Sequence, residues 1–216
     1  MNNTVESILQ NKIIMIVRGV DEDKIVELAE AMYRGGVRLM ECTYDASGAT
    51  PDEKTAEIIA TLSKHFEGRM LIGAGTVLKK NQIALTKAAG GRFIISPDTN
   101  PEIIEETKRQ GLVSIPGAAT PSEASTAYRA GADFVKLFPV SYLGGAAYLK
   151  AISAPLSNIR FLAVGGVKPE SMQEYLKSGA SGFGLGLTNE DRAAIASNAF
   201  ESIENRCRAL CECISE

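Results

Sequence analysis

One lysine in this chain has no polar neighbour to explain it. Lys136 lies in Phe134-Val135-Lys136-Leu137-Phe138-Pro139, whose apolar residues read as a strand buried on both faces. Desolvation disfavours the ammonium and lowers its pKa, the condition for attack on a ketone and for a Schiff base at neutral pH. A lysine that snorkels out of a strand end, or pairs with an acid, leaves the same local signature. Glu41, in Leu39-Met40-Glu41-Cys42-Thr43, is a second charge in an apolar strand. It reads either as the proton shuttle that carbon–carbon cleavage beside a hydroxyl requires or as a structural partner of Lys136. Arg18 follows the first apolar run, where its guanidinium could clamp a carboxylate with two hydrogen bonds or lie solvated. Gly73-Ala74-Gly75-Thr76, Gly165-Gly166-Val167 and Gly184-Leu185-Gly186 are small enough for backbone N–H groups to approach an anion, and plain tight turns are the alternative.

The elements that must position these residues are legible as short apolar runs rich in β-branched residues, alternating with amphipathic stretches. The runs are 13–17, 39–43, 70–73, 93–96, 112–115, 134–138, 160–164 and 182–186. Their starts recur roughly every 20 to 30 residues, the length of one strand, one helix and two short loops. Helix starts are marked by proline behind a capping residue in Thr50-Pro51-Asp52-Glu53, Asn100-Pro101-Glu102 and Thr120-Pro121-Ser122-Glu123, and by Lys168-Pro169-Glu170 without a cap. Glycines at 35–36, 90–91, 111, 131 and 179 stand where a left-handed residue closes a last helical turn. Ile25, Leu28, Ala29 and Met32 hold helical spacing and read as core. Eight such units predict an α/β fold, a (β/α)8 TIM barrel in a single domain over residues 1–216. An open dinucleotide-binding sheet would carry a Gly-rich fingerprint after its first strand, where Arg18-Gly19-Val20 stands instead. A barrel gathers the C-terminal ends of all its strands at one mouth, so Lys136, Glu41 and Arg18 can meet there.

Of the 216 residues, 45% are hydrophobic and 23% charged, with a formal net charge of −3. This is ordinary globular usage with no basic footprint for nucleic acid or an anionic membrane. Met1-Asn2-Asn3-Thr4-Val5-Glu6 lacks a basic region ahead of an apolar run, and no stretch is long and apolar enough to span a bilayer, so a cytoplasmic protein is expected. Cys42, Cys207, Cys211 and Cys213 make a poor disulfide framework, and with His65 the lone histidine no metal site is expected. A metal-dependent aldolase is disfavoured on the same ground.

The motifs taken together resemble a known family. Ile16-Val17-Arg18-Gly19, Gly35-Gly36-Val37, the Glu41 strand, Leu71-Ile72-Gly73-Ala74-Gly75-Thr76-Val77-Leu78, Ile95-Ser96-Pro97, Ile115-Pro116-Gly117, Val135-Lys136-Leu137-Phe138-Pro139 and Val164-Gly165-Gly166-Val167 carry the resemblance over nearly the whole chain. The family is that of the class I aldolases that cleave 2-keto-3-deoxy-6-phosphogluconate (KDPG), its 6-phosphogalactonate epimer and 4-hydroxy-2-oxoglutarate (KHG). The resemblance implies a lysine nucleophile at Lys136, a proton shuttle at Glu41, carboxylate binding by Arg18 and Thr76, and packing of the pyruvyl group on Phe138. It further implies a substrate site that includes Gly75, Pro97, Gly165, Gly166 and Gly186, a small-molecule 2-keto acid substrate, a homotrimer, and no cofactor or metal. Tyr44-Asp45 stands where some members place an arginine, which leaves the carboxylate to Arg18 alone. Val164, ahead of the Gly-Gly pair, is similar to the galactonate-type enzymes. Leu187 removes a hydroxyl from the expected phosphate site, leaving backbone amides of Gly166 and Gly186. Two rival functions predict no covalent adduct: a sugar-phosphate isomerase or epimerase with Lys136 as a fixed cation, and a non-catalytic module in which Lys136 merely pairs with Glu41.

Overall fold

The structure is a computed structural model that describes residues 3–214. Met1 and Asn2 of the opening segment lie outside the described residues. Among the described residues nine parallel strand segments run β1 (Ile13–Val17), β2 (Leu39–Thr43), β3 (Leu71–Gly75), β4 (Phe93–Ile95), β5 (Val113–Ile115), β6 (Gly117–Ala118), β7 (Val135–Leu137), β8 (Phe161–Val164) and β9 (Ala180–Gly186). Their order across the sheet is β5-β4-β3-β2-β1-β9-β8-β7-β6. The two outer segments, β5 and β6, are consecutive in sequence and separated by Pro116 alone. Proline has no N–H to give a ladder, so the strand is interrupted there. Its carbonyl still accepts from Lys136 N at 2.8 Å. β5 pairs with β4 and β6 with β7, so the broken strand closes the sheet into an eight-stranded barrel, as the alternating pattern predicts.

Helices alternate with the strands: α1 (Asn3–Asn11), α2 (Glu22–Arg34), α3 (Asp52–His65), α4 (Lys80–Ala88), α5 (Pro101–Arg109), α6 (Pro121–Arg129), α7 (Gly145–Ser153), α8 (Met172–Lys177), α9 (Asn189–Ala196) and α10 (Phe200–Glu212). Two of the expected caps form: Asn100 accepts from Glu102 N at 3.0 Å, and Thr120 and Glu123 make a reciprocal capping box. Thr50 does not cap α3. Its N–H donates to Asp45 Oδ2 at 2.9 Å, and Pro51 takes the cap position. Lys168-Pro169-Glu170 opens a single 3-10 turn ahead of α8. The terminal cysteines lie on or just past α10. Cys207 is buried so tightly against α2 that a Cβ on Gly35 would come within 2.5 Å of its own Cβ. Among the described residues no helix is long and apolar enough to cross a membrane.

The period-two alternation of strands sorts side chains into two cores. Outward residues such as Met15, Met40, Ile72, Val135, Ala163 and Phe183 pack against the helices. Ile14, Leu39, Phe93, Ile95, Val113, Ile115, Phe134, Leu162 and Val164 fill the barrel interior, with Val5 and Ile8 of α1 in the same cluster. The interior is crowded: a Cβ on Gly73 would overlap the Phe93 ring. Lys136 follows the inward Phe134 by two residues and Glu41 follows the inward Leu39 by two. The strands therefore aim both charges into the barrel, one layer nearer its C-terminal mouth.

Candidate active site

A cavity of about 440 Å³ opens at the C-terminal ends of the strands. Lys136, Glu41, Arg18 and Thr76 line it, with Pro97 and Phe138 beside them and Gly165, Gly166 and Gly186 on the far side. Of the site residues that the resemblance implies, Gly75 alone does not line it. The register sets the layer: Glu41 faces Ile16 on one side and Gly73 on the other, and Lys136 stands between Gly117 and Leu162.

Lys136 is 8% exposed and Glu41 2%. Burial pushes the Lys136 ammonium below the ordinary lysine range; Glu41 opposes that shift and Arg18 adds to it. Its Nζ sits over the Phe138 ring, 4.6 Å from the centroid. Burial likewise raises Glu41, against the attraction of Lys136 and Arg18. Glu41 Oε2 is buried without a hydrogen-bond partner among the described residues. A buried carboxylate oxygen left unpaired is costly in a purely structural role, and this one lines a cavity that a substrate can enter. Gly75 supports it from behind. β3 runs two residues further than its apolar run suggests, because its pairing with β2 continues through Glu41–Gly73 to Thr43–Gly75. Gly75 is therefore a strand residue and not part of an anion loop, and a Cβ on it would overlap the Glu41 carboxylate.

Arg18 Nη2 donates to Thr76 Oγ1 at 2.8 Å. Thr76 adopts φ 54°, a left-handed conformation unusual for a β-branched residue. It brings the hydroxyl back onto the guanidinium at the cavity wall. Asp45 puts no charge into this cavity, since Ser47 N, Ser47 Oγ and Thr50 N all donate to its carboxylate, at 2.9, 2.6 and 2.9 Å. Those bonds hold its pKa down to about 2. Tyr44, ahead of it, is fully buried with its hydroxyl between Gln82 O and Thr86 Oγ1. On this side the cavity wall thus carries Arg18 and Thr76.

On the far side Gly165 and Gly166 take φ 92° and 76°. A side chain on Gly166 would collide with Ser141. Gly184-Leu185-Gly186 is the end of β9 and not a turn, with Gly184 small because Val164 lies 2.9 Å from where its Cβ would be. Gly186 has open space on that side. Thr188, which caps α9, and Arg206 of α10 complete this wall. Neither was marked by sequence pattern. Thr188-x-x-Asp191 is a helix-start signal that could have located α9, whereas Arg206 reads as one more charge on an amphipathic helix. Among the described residues no cluster of three or more His, Cys, Asp or Glu side chains is placed to hold a metal ion.

Making and breaking a carbon–carbon bond next to a ketone calls for an uncharged amine, a mobile proton and a grip on a carboxylate. The groups gathered at this mouth are of those types, and the fold and site together define a barrel lyase of the class I aldolase type. Comparison with known proteins agrees. The model of the KDPG and KHG aldolase family matches residues 5–206. The 2-dehydro-3-deoxy-phosphogluconate aldolase of Treponema pallidum is 34% identical over 171 residues, 79% of this chain and 78% of that protein. The 2-dehydro-3-deoxy-6-phosphogalactonate aldolase of Escherichia coli is 34% identical over 175 residues, 81% of this chain and 82% of that protein. The crystal structure of the KDPG aldolase of Legionella pneumophila, with pyruvate captured as a covalent carbinolamine, superposes with a TM-score of 0.84 at 28% identity, covering 97% of this chain and 99% of that one. The chain belongs to the KDPG and KHG aldolase family.

Proposed function

We propose that this protein cleaves KDPG to pyruvate and glyceraldehyde 3-phosphate through a Schiff base on Lys136, and KHG to pyruvate and glyoxylate by the same steps. The observation that carries the reading is a buried lysine with a depressed pKa that shares an open cavity with a buried carboxylate, one oxygen of which has no hydrogen-bond partner among the described residues. The neutral amine attacks the C2 ketone, and Glu41 protonates the departing hydroxyl, so that water leaves and an iminium remains. Glu41, now a carboxylate, takes the C4 hydroxyl proton. The C3–C4 electron pair moves into the iminium, releasing the aldehyde and leaving an enamine. Protonation at C3 and hydrolysis return pyruvate and the free lysine. Arg18 and Thr76 hold the C1 carboxylate, Phe138 packs on the pyruvyl group, Pro97, Gly165, Gly166 and Gly186 shape the pocket, and Gly75 backs the Glu41 carboxylate. No step needs a cofactor.

The galactonate epimer is the second reading, favoured by the apolar Val164 side chain on the cavity wall. Its test is the ratio of kcat/KM for the two C4 epimers. Residues 1–216 act as one catalytic domain in this proposal, in the cytoplasm and as a homotrimer. The chemistry is tested by intact mass after incubation with pyruvate and borohydride, followed by peptide mapping. A reduced pyruvyl adduct on Lys136, absent from Lys136→Ala, is expected; an unmodified wild type would refute the Schiff base and favour an isomerase or a binding protein.

A further inference from the structure

We propose that Arg206 is the specificity residue for a phosphorylated aldehyde half, a role that rests on the aldolase reading above and extends it to the far end of the substrate. Among the described residues four charged side chains line the cavity: Arg18, Glu41, Lys136 and Arg206. Arg18, Glu41 and Lys136 act on one another electrostatically, and Arg206 is not among the charges that shift Lys136 or Glu41. Its contact with the Gly186 carbonyl places it on the wall made by the end of β9. Arg206 comes from α10, outside the ring of strands, and its side chain is 26% exposed.

Its orientation is fixed from two sides. Nη1 donates to Asp191 Oδ2 at 2.7 Å, and Nη2 donates to the Gly186 carbonyl at 3.3 Å. Asp191 is itself held: Thr188 N donates to its Oδ2 at 2.8 Å and its own N–H donates to Thr188 Oγ1 at 3.1 Å. Asp191 is 3% exposed. A guanidinium carries five N–H donors in a planar fork, so two engaged donors leave the rest of the fork for a ligand. Gly186, whose open side has no neighbour within 4 Å, adjoins it. A planar, permanently charged donor held rigidly at one end of a cavity matches a phosphate dianion. Leu187 offers no hydroxyl on this wall, and the fixed cation supplies the lost binding. The substrate class this selects is a 2-keto-3-deoxy acid with a terminal phosphate, ahead of unphosphorylated KHG.

The test compares Arg206→Gln and Arg206→Lys with the wild type on KDPG and on KHG. Loss of a charge-assisted contact predicts a KM for KDPG raised about 10- to 100-fold in Arg206→Gln. The expected change in kcat is less than about threefold, and so is the change in kcat/KM for KHG. Arg206→Lys, keeping the charge without the fork, is expected to recover part of the loss. Equal losses on both substrates would mean that the ion pair only ties α10 to α9, and no loss on either would also overturn the proposal. Calorimetric titration of wild type and Arg206→Gln with inorganic phosphate reads the site without turnover. Binding to the wild type that weakens at least tenfold in the variant supports the site even if the pyruvate adduct fails to form, whereas equal binding refutes it.

Discussion

Gly75→Ala is the sharpest probe of the site's internal logic, because it adds one methyl group at a position that touches no substrate. Gly75 lies in β3, and its backbone does not need the left-handed conformation that glycine alone tolerates. The added Cβ would overlap the Glu41 carboxylate and stand 2.6 Å from Glu41 Cγ. Ordinary carbon contacts begin near ~3.5 Å, so Cγ must retreat by about 1 Å and the carboxylate by more. Strand pairing on both sides fixes the Glu41 backbone, so the side chain gives way and the carboxylate leaves the catalytic position. A misplacement of about 1 Å costs on the order of 100-fold in rate, or about 2.7 kcal/mol in the barrier at ~1.36 kcal/mol per decade. Pyruvate release, followed with lactate dehydrogenase and NADH, should therefore show kcat down at least ~100-fold. The Arg18–Thr76 wall is untouched, so half-saturation by pyruvate should change little. A folded Gly75→Ala protein that keeps kcat within about threefold would sink the assignment of Glu41 as proton shuttle, since so small a change is inconsistent with a displaced acid/base.

Three further outcomes follow from the same geometry. Arg18→Gln should raise the pyruvate concentration needed for half-maximal adduct formation by about tenfold, the loss of one charged hydrogen bond at a part-solvated site. Unchanged half-saturation would show that the carboxylate sits elsewhere. The initial rate of adduct trapping should climb with pH as Lys136 loses its proton, because the neutral amine is the nucleophile. Burial lowers this pKa, so the rate should level off clearly below 10.5, the ordinary lysine value; a rate still climbing at that pH would mean a solvated amine. Phe93→Ala, which empties the barrel beneath Gly73, should cost about 3–5 kcal/mol and lower Tm by roughly 10 °C, and scanning calorimetry would contradict the packing if Tm fell by less than about 3 °C.

How much of this was legible in the sequence depends on whether a feature is local or made by distant chain segments. The barrel was legible because each strand carries its own signal, a short apolar run followed by helical spacing and a glycine stop. Lys136 and Glu41 stood out for the same reason: a charge in an apolar strand is anomalous within five residues of chain. Their inward direction needed only the strand parity of Phe134 and Leu39. What stayed hidden is the product of contacts across the fold. Pro116 looks like a strand end, yet it interrupts one strand and its carbonyl still joins the two ends of the sheet. α1 sends Val5 and Ile8 into the barrel core, but its own residues show no partner for that face. Gly75 suggests an anion loop until the register of β2 brings Glu41 against it. Arg206 is the extreme case, since only the capped turn of α9 and the end of β9 convert a helix-surface arginine into part of a cavity wall. The catalytic centre is thus encoded by anomalies within strands. The specificity wall is encoded by how helices dock on them, so in this barrel substrate preference can change through α9 and α10 while the lysine strand stays as it is.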